Sequence, residues 1–285
     1  MKKLNWMVTL AAAAFMSVSA HAAPERVGDF TLYDHRGDAN TLSRLGFYDA
    51  VVFISQKNGC SINEENIARY KVIRTNWDHK NVGFFMINAM DHRDDVREYN
   101  DLWRFDIPIM LDYPQLVTQD LGFTHAGQIA IVDPSRMNIL FRGNVDGPAR
   151  GPLQNVLEQI VDEGMDTRDM ETLIEELPEE MAGCELSFPM AEKFANQAPD
   201  YETEVAPILI ERCVGCHIEG GIGPFAMNSH QMVQGWSPMI RETVMTRRMP
   251  PMQVDPDVRE WHNAGNMPVE ETQTLIHWIE AGAPR

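Results

Sequence analysis

The stretch Asp49-Ala50-Val51-Val52-Phe53-Ile54-Ser55-Gln56-Lys57-Asn58-Gly59-Cys60 decides the fold. Its first seven residues form an apolar, β-branched run with the length of a strand buried on both faces. The polar turn that follows contains a glycine and delivers Cys60 to the start of a helical stretch. Val82–Asn88 repeats the strand signal, residues 94–105 read as a helix, Gln128–Asp133 reads as a third strand, and residues 138–142 read as its hairpin partner. Strands alternating with helices imply an α/β domain with a mixed sheet. In that arrangement Cys60 stands at a helix N-terminus, where backbone amides and the helix dipole favour a thiolate. The position suits a reactive sulfur.

The chain around this stretch has 285 residues, enough for two domains. Hydrophobic residues make up 44% and charged residues 23%, which excludes disordered, fibrous and polytopic membrane classes. A net charge of −18 repels nucleic-acid backbones and anionic lipid surfaces, so a soluble redox protein, with a basic surface, is the partner class the charge allows. At the start, Lys2 and Lys3 precede an apolar run, Leu4 to Val18, and the small-x-small sequence Ala20-His21-Ala22. This is the pattern of a secretory signal peptide over residues 1–22, and its removal would take the net charge to −20. No later segment is long and charge-free enough to span a membrane. The expected compartment is the periplasm, where thiols tend to oxidise.

Four cysteines therefore carry weight, and they fall into two pairs. Cys213-Val214-Gly215-Cys216-His217 is a C-x-x-C-H sequence, the attachment site for one covalent haem c. Two intervening residues bring both sulfurs to one side of a helical turn, where they form thioethers, and His217 follows as an iron ligand. A zinc half-site, which would need a second ligand pair such as another C-x-x-C, and a redox dithiol are the alternatives. The second axial ligand is expected from Arg247-Arg248-Met249-Pro250-Pro251-Met252, with Met249 favoured and Met252 the alternative. Arg247 and Arg248 are candidates for neutralising the haem propionates. His230, His262 and His277 leave a bis-His site open. Residues 204–212 and 270–281 read as the helices before and after this region. With CVGCH, GGIGPF, RRMPP and WIEAGAP, the segment 201–285 resembles a small all-α, periplasmic monohaem cytochrome c domain. The resemblance implies electron transfer.

The front of the chain resembles a different family. Val27-Gly28-Asp29-Phe30, Gly59-Cys60-Ser61-Ile62 and Gly183-Cys184-Glu185-Leu186 are similar to segments of a peroxiredoxin-like branch of the thioredoxin-like alkyl hydroperoxide reductase and thiol-specific antioxidant superfamily. That resemblance implies an α/β thioredoxin-like domain over residues 23–146, with Cys60 as its active sulfur and Cys184 as a second. Three departures are visible. Asn63 stands where a thioredoxin dithiol needs its second cysteine, Lys57 where a peroxidatic site needs Thr or Ser, and Ala126-Gly127 where a cis-proline is usual. Cys60 and Cys184 then form a structural disulfide, a cycling redox pair, or two unlinked thiols.

Between the two regions, residues 147–200 form an acidic connection in which residues 153–162 and 169–176 read as short helices, and residues 175–180 as a solvated acidic face. The whole reads as a periplasmic haem electron carrier fused to a redoxin, passing electrons between soluble partners or between its own centres. Two other functions compete with it. One is a thiol peroxidase or disulfide oxidoreductase using Cys60 and Cys184, with the haem as electron entrance. The other is an accessory protein of a copper enzyme, with Met and His residues holding Cu(I).

Overall fold

The protein is described by a computed structural model over residues 25–145, 151–168, 170–175, 183–259 and 261–285. The leader expected at residues 1–22 lies outside the described residues. Seven-residue strands β3 (Ala50–Gln56) and β4 (Val82–Asn88) are buried along their whole length. They pair in parallel, Val52 opposite Phe84. On one side β4 continues to β5 (Ile109–Leu111); on the other, β6 (Gln128–Asp133) runs antiparallel to β3 and is followed by β7 (Asn138–Asn144). With β8 (Leu173–Ile174) at the edge the order is β5-β4-β3-β6-β7-β8, and β1 (Thr31–Tyr33) and β2 (Ala39–Thr41) form a separate hairpin. A central strand that delivers the cysteine, a parallel neighbour reached through helices and an antiparallel hairpin on the opposite side make up a thioredoxin-like α/β fold.

Strands therefore stand within two residues of their expected positions. Where a helix is expected at 169–176, the described residues 170–175 hold a short strand instead: Leu173 and Ile174 pair in parallel with Phe141 and Arg142. The edge of β7 offers unpaired backbone groups, and the Thr172 hydroxyl also donates to Ile139 O at 2.6 Å, so strand addition satisfies what a helix would leave open.

Period-two alternation divides the sheet into two apolar faces. Val52, Ile54, Phe84, Met86, Ile129 and Ile131 share a cluster with residues of three helices, α2 (Ile67–Trp77), α3 (Arg93–Trp103) and α5 (Pro152–Val161). A five-residue helix, α1 (Ser61–Glu65), precedes α2. Val51, Phe53, Phe85, Ile87, Ala130 and Val132 belong to the opposite cluster. That cluster contains Leu116 and Val117 of α4 (Leu116–Asp120) and continues without interruption into the C-terminal helices.

Those helices are α6 (Pro189–Phe194), α7 (Ala206–Arg212), α8 (His230–Met245) and α9 (Val269–Glu280). A π-helical turn, Tyr201–Val205, leads into α7, and its first turn is capped by Asp200, whose Oδ1 accepts from Thr203 N at 2.8 Å. Leu209, Val233, Ile240, Val244 and Trp278 all lie in the cluster that also holds Phe30 and Phe53. Polar contacts join the halves at its border. Arg241 pairs with Asp120 at 2.7 Å and with Glu280 at 2.9 Å, and Gln273 Nε2 donates to Pro114 O at 3.0 Å.

Asp120 is mostly buried, and that burial raises its pKa while Arg241 opposes the rise. Removing the guanidinium leaves a mostly buried carboxylate without its ion-pair partner. We expect Arg241→Met to lower stability in urea unfolding by about 2–4 kcal/mol, and a second substitution, Asp120→Leu, to recover most of the loss.

Candidate functional site

The turn after β3 places Cys60 as the residue preceding α1, and its sulfur forms a disulfide with Cys184. Of the three alternatives in the sequence, the bond sets aside the unlinked thiols and is compatible with both a structural and a cycling pair. Cys60 is only 1% exposed, whereas Cys184 is half-buried and is the more reachable sulfur.

Asn63 explains one of the departures from thioredoxin. Its side chain is fully buried, donates to Ser55 O at 3.0 Å and accepts from Lys57 N at 3.3 Å, so it braces the turn that presents Cys60. The position that carries a second cysteine in a local dithiol carries a clamp here. Lys57, the second departure, donates its ammonium to Glu185 O at 3.0 Å.

The segment carrying Cys184 is held like an added strand. Ala126 N donates to Cys184 O at 2.9 Å and Leu186 N donates to Thr124 O at 2.9 Å, flanking an antiparallel bridge between His125 and Glu185. Gln115 Nε2 donates to Ser187 O at 3.2 Å, and the amide of Cys184 points at the Cys60 sulfur at 3.1 Å. The Ala126-Gly127 pair, the third departure, thus faces this segment directly. A glycine is required at 183, because a Cβ there would lie 1.7 Å from Ala126 O.

In the C-terminal half, CVGCH occupies the end of α7. Cys213 is its C-terminal cap, and the amides of Cys216 and His217 both donate to Cys213 O, at 3.1 and 3.0 Å. Cys213 is half-buried, Cys216 is exposed, and neither forms a disulfide. His217 is buried, with Nδ1 2.9 Å from Phe225 O. Donation from Nδ1 fixes the tautomer in which Nε2 carries a free lone pair, the arrangement of a metal-ligating histidine. Phe225 lies 4.9 Å from the His217 ring and stacks at 4.6 Å on Trp236. Gly223 is a glycine because a Cβ would approach the imidazole to 2.7 Å.

A covalent haem fits these residues on two further counts. Ile218, Ile222, Trp236, Met239, Met249 and Met252 are large apolar side chains exposed in this half, the kind of surface that an apolar macrocycle covers. Met249 is 39% exposed and Met252 73%, so each thioether is accessible. The histidines offered for a bis-His site are differently engaged. His230 lies edge-on to Tyr201 and Trp278 with Nε2 3.0 Å from Ala283 O, and His277 is packed on Phe194, with burial lowering its pKa. His262 is exposed.

The two arginines go different ways. Arg247 stands over the Tyr33 ring at 5.0 Å and donates to Val254 O at 3.0 Å, with its pKa lowered by burial. Arg248 is exposed, pairs with Glu242 and donates to Thr246 Oγ1 at 3.0 Å. The contacts that shape both centres, Phe225 O at His217 and Thr124 and Ala126 around Cys184, are backbone contacts, to which side-chain identity gives no clue.

No family model matches the chain, and no curated protein matches it. Solved structures do. A conserved protein from Geobacillus kaustophilus is 14% identical, with 60% of this chain and 94% of the other covered and a TM-score of 0.47. The thioredoxin domain of a thiol-disulfide oxidoreductase from Bacteroides vulgatus is 17% identical, with 49% and 98% covered and a TM-score of 0.40. A thioredoxin-family thiol:disulfide interchange protein from Chlorobium tepidum is 18% identical, with 50% and 99% covered and a TM-score of 0.39. The thioredoxin-like fold itself is read from the strand order and register described above.

We expect Gly183→Ala to push the Cys184 segment off Thr124–Ala126 and to raise the fraction of free thiol at Cys60 and Cys184. Alkylation with a maleimide followed by mass spectrometry measures it; an unchanged, fully oxidised pair would show that the close approach is not needed for the bond.

Proposed function

We propose that the protein is an exported redox protein with two centres, a Cys60–Cys184 disulfide in its redoxin half and one covalent haem c on Cys213 and Cys216 in its C-terminal half, passing electrons between soluble partners or between the two centres. The observation that carries the reading is that both cysteine pairs belong to a single folded unit with one continuous apolar cluster. One pair is bonded beyond the C-terminal end of the central strand; the other follows α7, with His217 already oriented by Phe225. Export and a periplasmic location rest on the leader pattern in the sequence. Among the described residues no helix is long and apolar enough to cross a membrane.

On the thiol side, an incoming partner thiolate attacks Cys184 Sγ, the more exposed sulfur. The Cys60–Cys184 bond breaks, Cys60 leaves as a thiolate, and a mixed disulfide joins the partner to Cys184. In the geometry of the disulfide the amide of Cys184 already points at the Cys60 sulfur and favours its negative charge. The partner's second thiol then attacks the mixed disulfide and frees Cys184, so that the pair has gained two electrons and two protons while the partner is oxidised to its disulfide. Lys57 and Gln115 hold the carbonyls of Glu185 and Ser187 beside the exchanging sulfur.

On the other side, Cys213 and Cys216 would anchor the porphyrin, His217 Nε2 would bind iron, and Met249 would complete the coordination, with Met252 as the alternative. Bound there, the haem supplies one-electron transfer. His217 is kept in register by its hydrogen bond to Phe225 O, and the Phe225 ring is stacked on Trp236. Each cycle of the thiol pair corresponds to two one-electron transfers.

The test is the visible spectrum of the full-length protein treated with dithiothreitol, beside a Cys60→Ser variant. A low-spin c-type spectrum that becomes reduced only with Cys60 intact is the expected result. A haem indifferent to Cys60 would leave an electron-transfer protein with a structural disulfide.

A further inference from the structure

The segment between α8 and α9, residues 246–268, contains both candidate thioethers and, among its described residues, no long regular element. Within its own half a few contacts shape it. Met249 N donates to Thr243 O at 3.0 Å, Gln253 Nε2 donates to Met249 O at 2.8 Å, and Asn266 closes the loop through Val254 N and Val254 O at 2.8 and 2.9 Å. Gly265 N donates to Met252 O at 3.0 Å.

Its firmest attachment comes from the redoxin half. Arg93, the first residue of α3, is 2% exposed. Its Nη1 lies 2.7 Å from Asp255 Oδ2 and its Nε 3.2 Å from Asp257 Oδ2. Tyr113 donates its hydroxyl to Asp257 at 2.8 Å while accepting from Arg93 N at 3.2 Å. Arg247 adds a second tie, stacked on Tyr33 while donating to Val254 O. Among the described residues, Arg93 Nη2 and Nε are buried without a hydrogen-bond partner, and Nε meets Asp257 as an ion pair only. A guanidinium kept out of water with two nitrogens lacking hydrogen bonds is costly, and its two carboxylate partners both belong to the methionine loop.

Asp255 is two residues from Gln253, whose side chain grips the carbonyl of Met249. A charge anchored in the redoxin domain is thereby relayed to the residue before the Pro250-Pro251 pair. A thioether is a weak ligand, and a free loop of this length pays ordering entropy each time it presents one.

Resting on the two-centre reading, we propose that Arg93 is a positioning residue for the axial methionine: through Asp255, Asp257 and Gln253 the redoxin half fixes the loop that presents Met249 to the haem. The redoxin domain then serves as scaffold for iron ligation as well as carrier of the thiol pair. A ligand loop fastened to a neighbouring domain also makes the strength of the methionine bond depend on how the two halves meet.

The experiment uses the full-length, haem-loaded protein and its Arg93→Gln, Arg93→Lys, Tyr113→Phe and Met249→Ala variants. Two readouts are taken on oxidised protein: the methionine-to-iron charge-transfer band in the far-red, and the affinity for imidazole, which competes with the thioether. Thermal unfolding is recorded alongside. We expect Arg93→Gln to weaken the band and raise imidazole affinity about tenfold, the weight of one charge-assisted hydrogen bond, with Arg93→Lys intermediate. Tyr113→Phe, which removes only the hydroxyl, moves both readouts in the same direction by a few-fold and serves if Arg93→Gln fails to fold. A lower melting temperature with the band and imidazole affinity unchanged overturns the proposal, because Arg93 then only holds the halves together. Met249→Ala separates the two levels. If it leaves the band intact, the ligand assignment itself is wrong; if it abolishes the band while Arg93→Gln and Tyr113→Phe do not alter it, only the positioning role fails.

Discussion

A mixed sheet with apolar residues on both sides must be covered on both sides, and in this protein the second cover belongs partly to another half of the chain. Helices α2, α3 and α5 serve the face of Val52, Phe84 and Ile131. The face of Val51, Phe53 and Val132 is continuous with α4 and with side chains of α7, α8 and α9. Redoxin and C-terminal regions therefore share a core. Ion pairs, half-buried Arg241 with Asp120 and buried Arg93 with Asp255 and Asp257, sit at its border and fix one docking of the two halves. Such pairs add little net stability over apolar replacements, but a wrong docking would strand each charge without its partner.

That shared core bears on the chemistry. On the proposed two-centre reading, unlinked domains would exchange electrons only on meeting, whereas here Cys60 belongs to one apolar cluster and Cys184 and Cys213 pack against it. The thiol pair stands beyond the C-terminal end of β3, and the loop carrying Met249 is clasped by Arg93, the first residue of α3. The redoxin half lacks the local dithiol of a general exchanger, with Asn63 bracing the turn where a second cysteine would sit. Its second sulfur is supplied instead from residue 184, on a segment zipped by backbone hydrogen bonds to Thr124 and Ala126.

The long strands were legible in the sequence because both of their faces are buried, so that apolar runs such as Val51–Ile54 and Phe84–Ile87 leave no alternation to misread. Strands β5 and β8 were not, being three and two residues long and defined by their neighbours. The acidic stretch 169–176 reads as a helix, yet Leu173 and Ile174 join the edge of β7 as a strand. Helix α8 escaped notice for a local reason, since it contains Gly235 and Pro238 and its weak propensity is overridden by packing of Val233, Ile240 and Val244. At the candidate sites the cysteines and His217 announce themselves through spacing. What sequence cannot display is long-range pairing: the disulfide spans 124 residues, Arg93 meets Asp255 across 162, and the Phe225 carbonyl that orients His217 carries no side-chain signature.

The central claim is that a covalent haem and a thiol pair occupy one folded chain, and the intact mass of the protein isolated from the periplasm of a cell that makes c-type cytochromes tests it most directly. The account predicts the mass of the leaderless chain plus one haem that survives acid denaturation, lost when both Cys213 and Cys216 are replaced by Ala, and two further cysteines that react with maleimide only after reduction. A mature chain recovered at its bare polypeptide mass, with Cys213 and Cys216 free to alkylate, would contradict it.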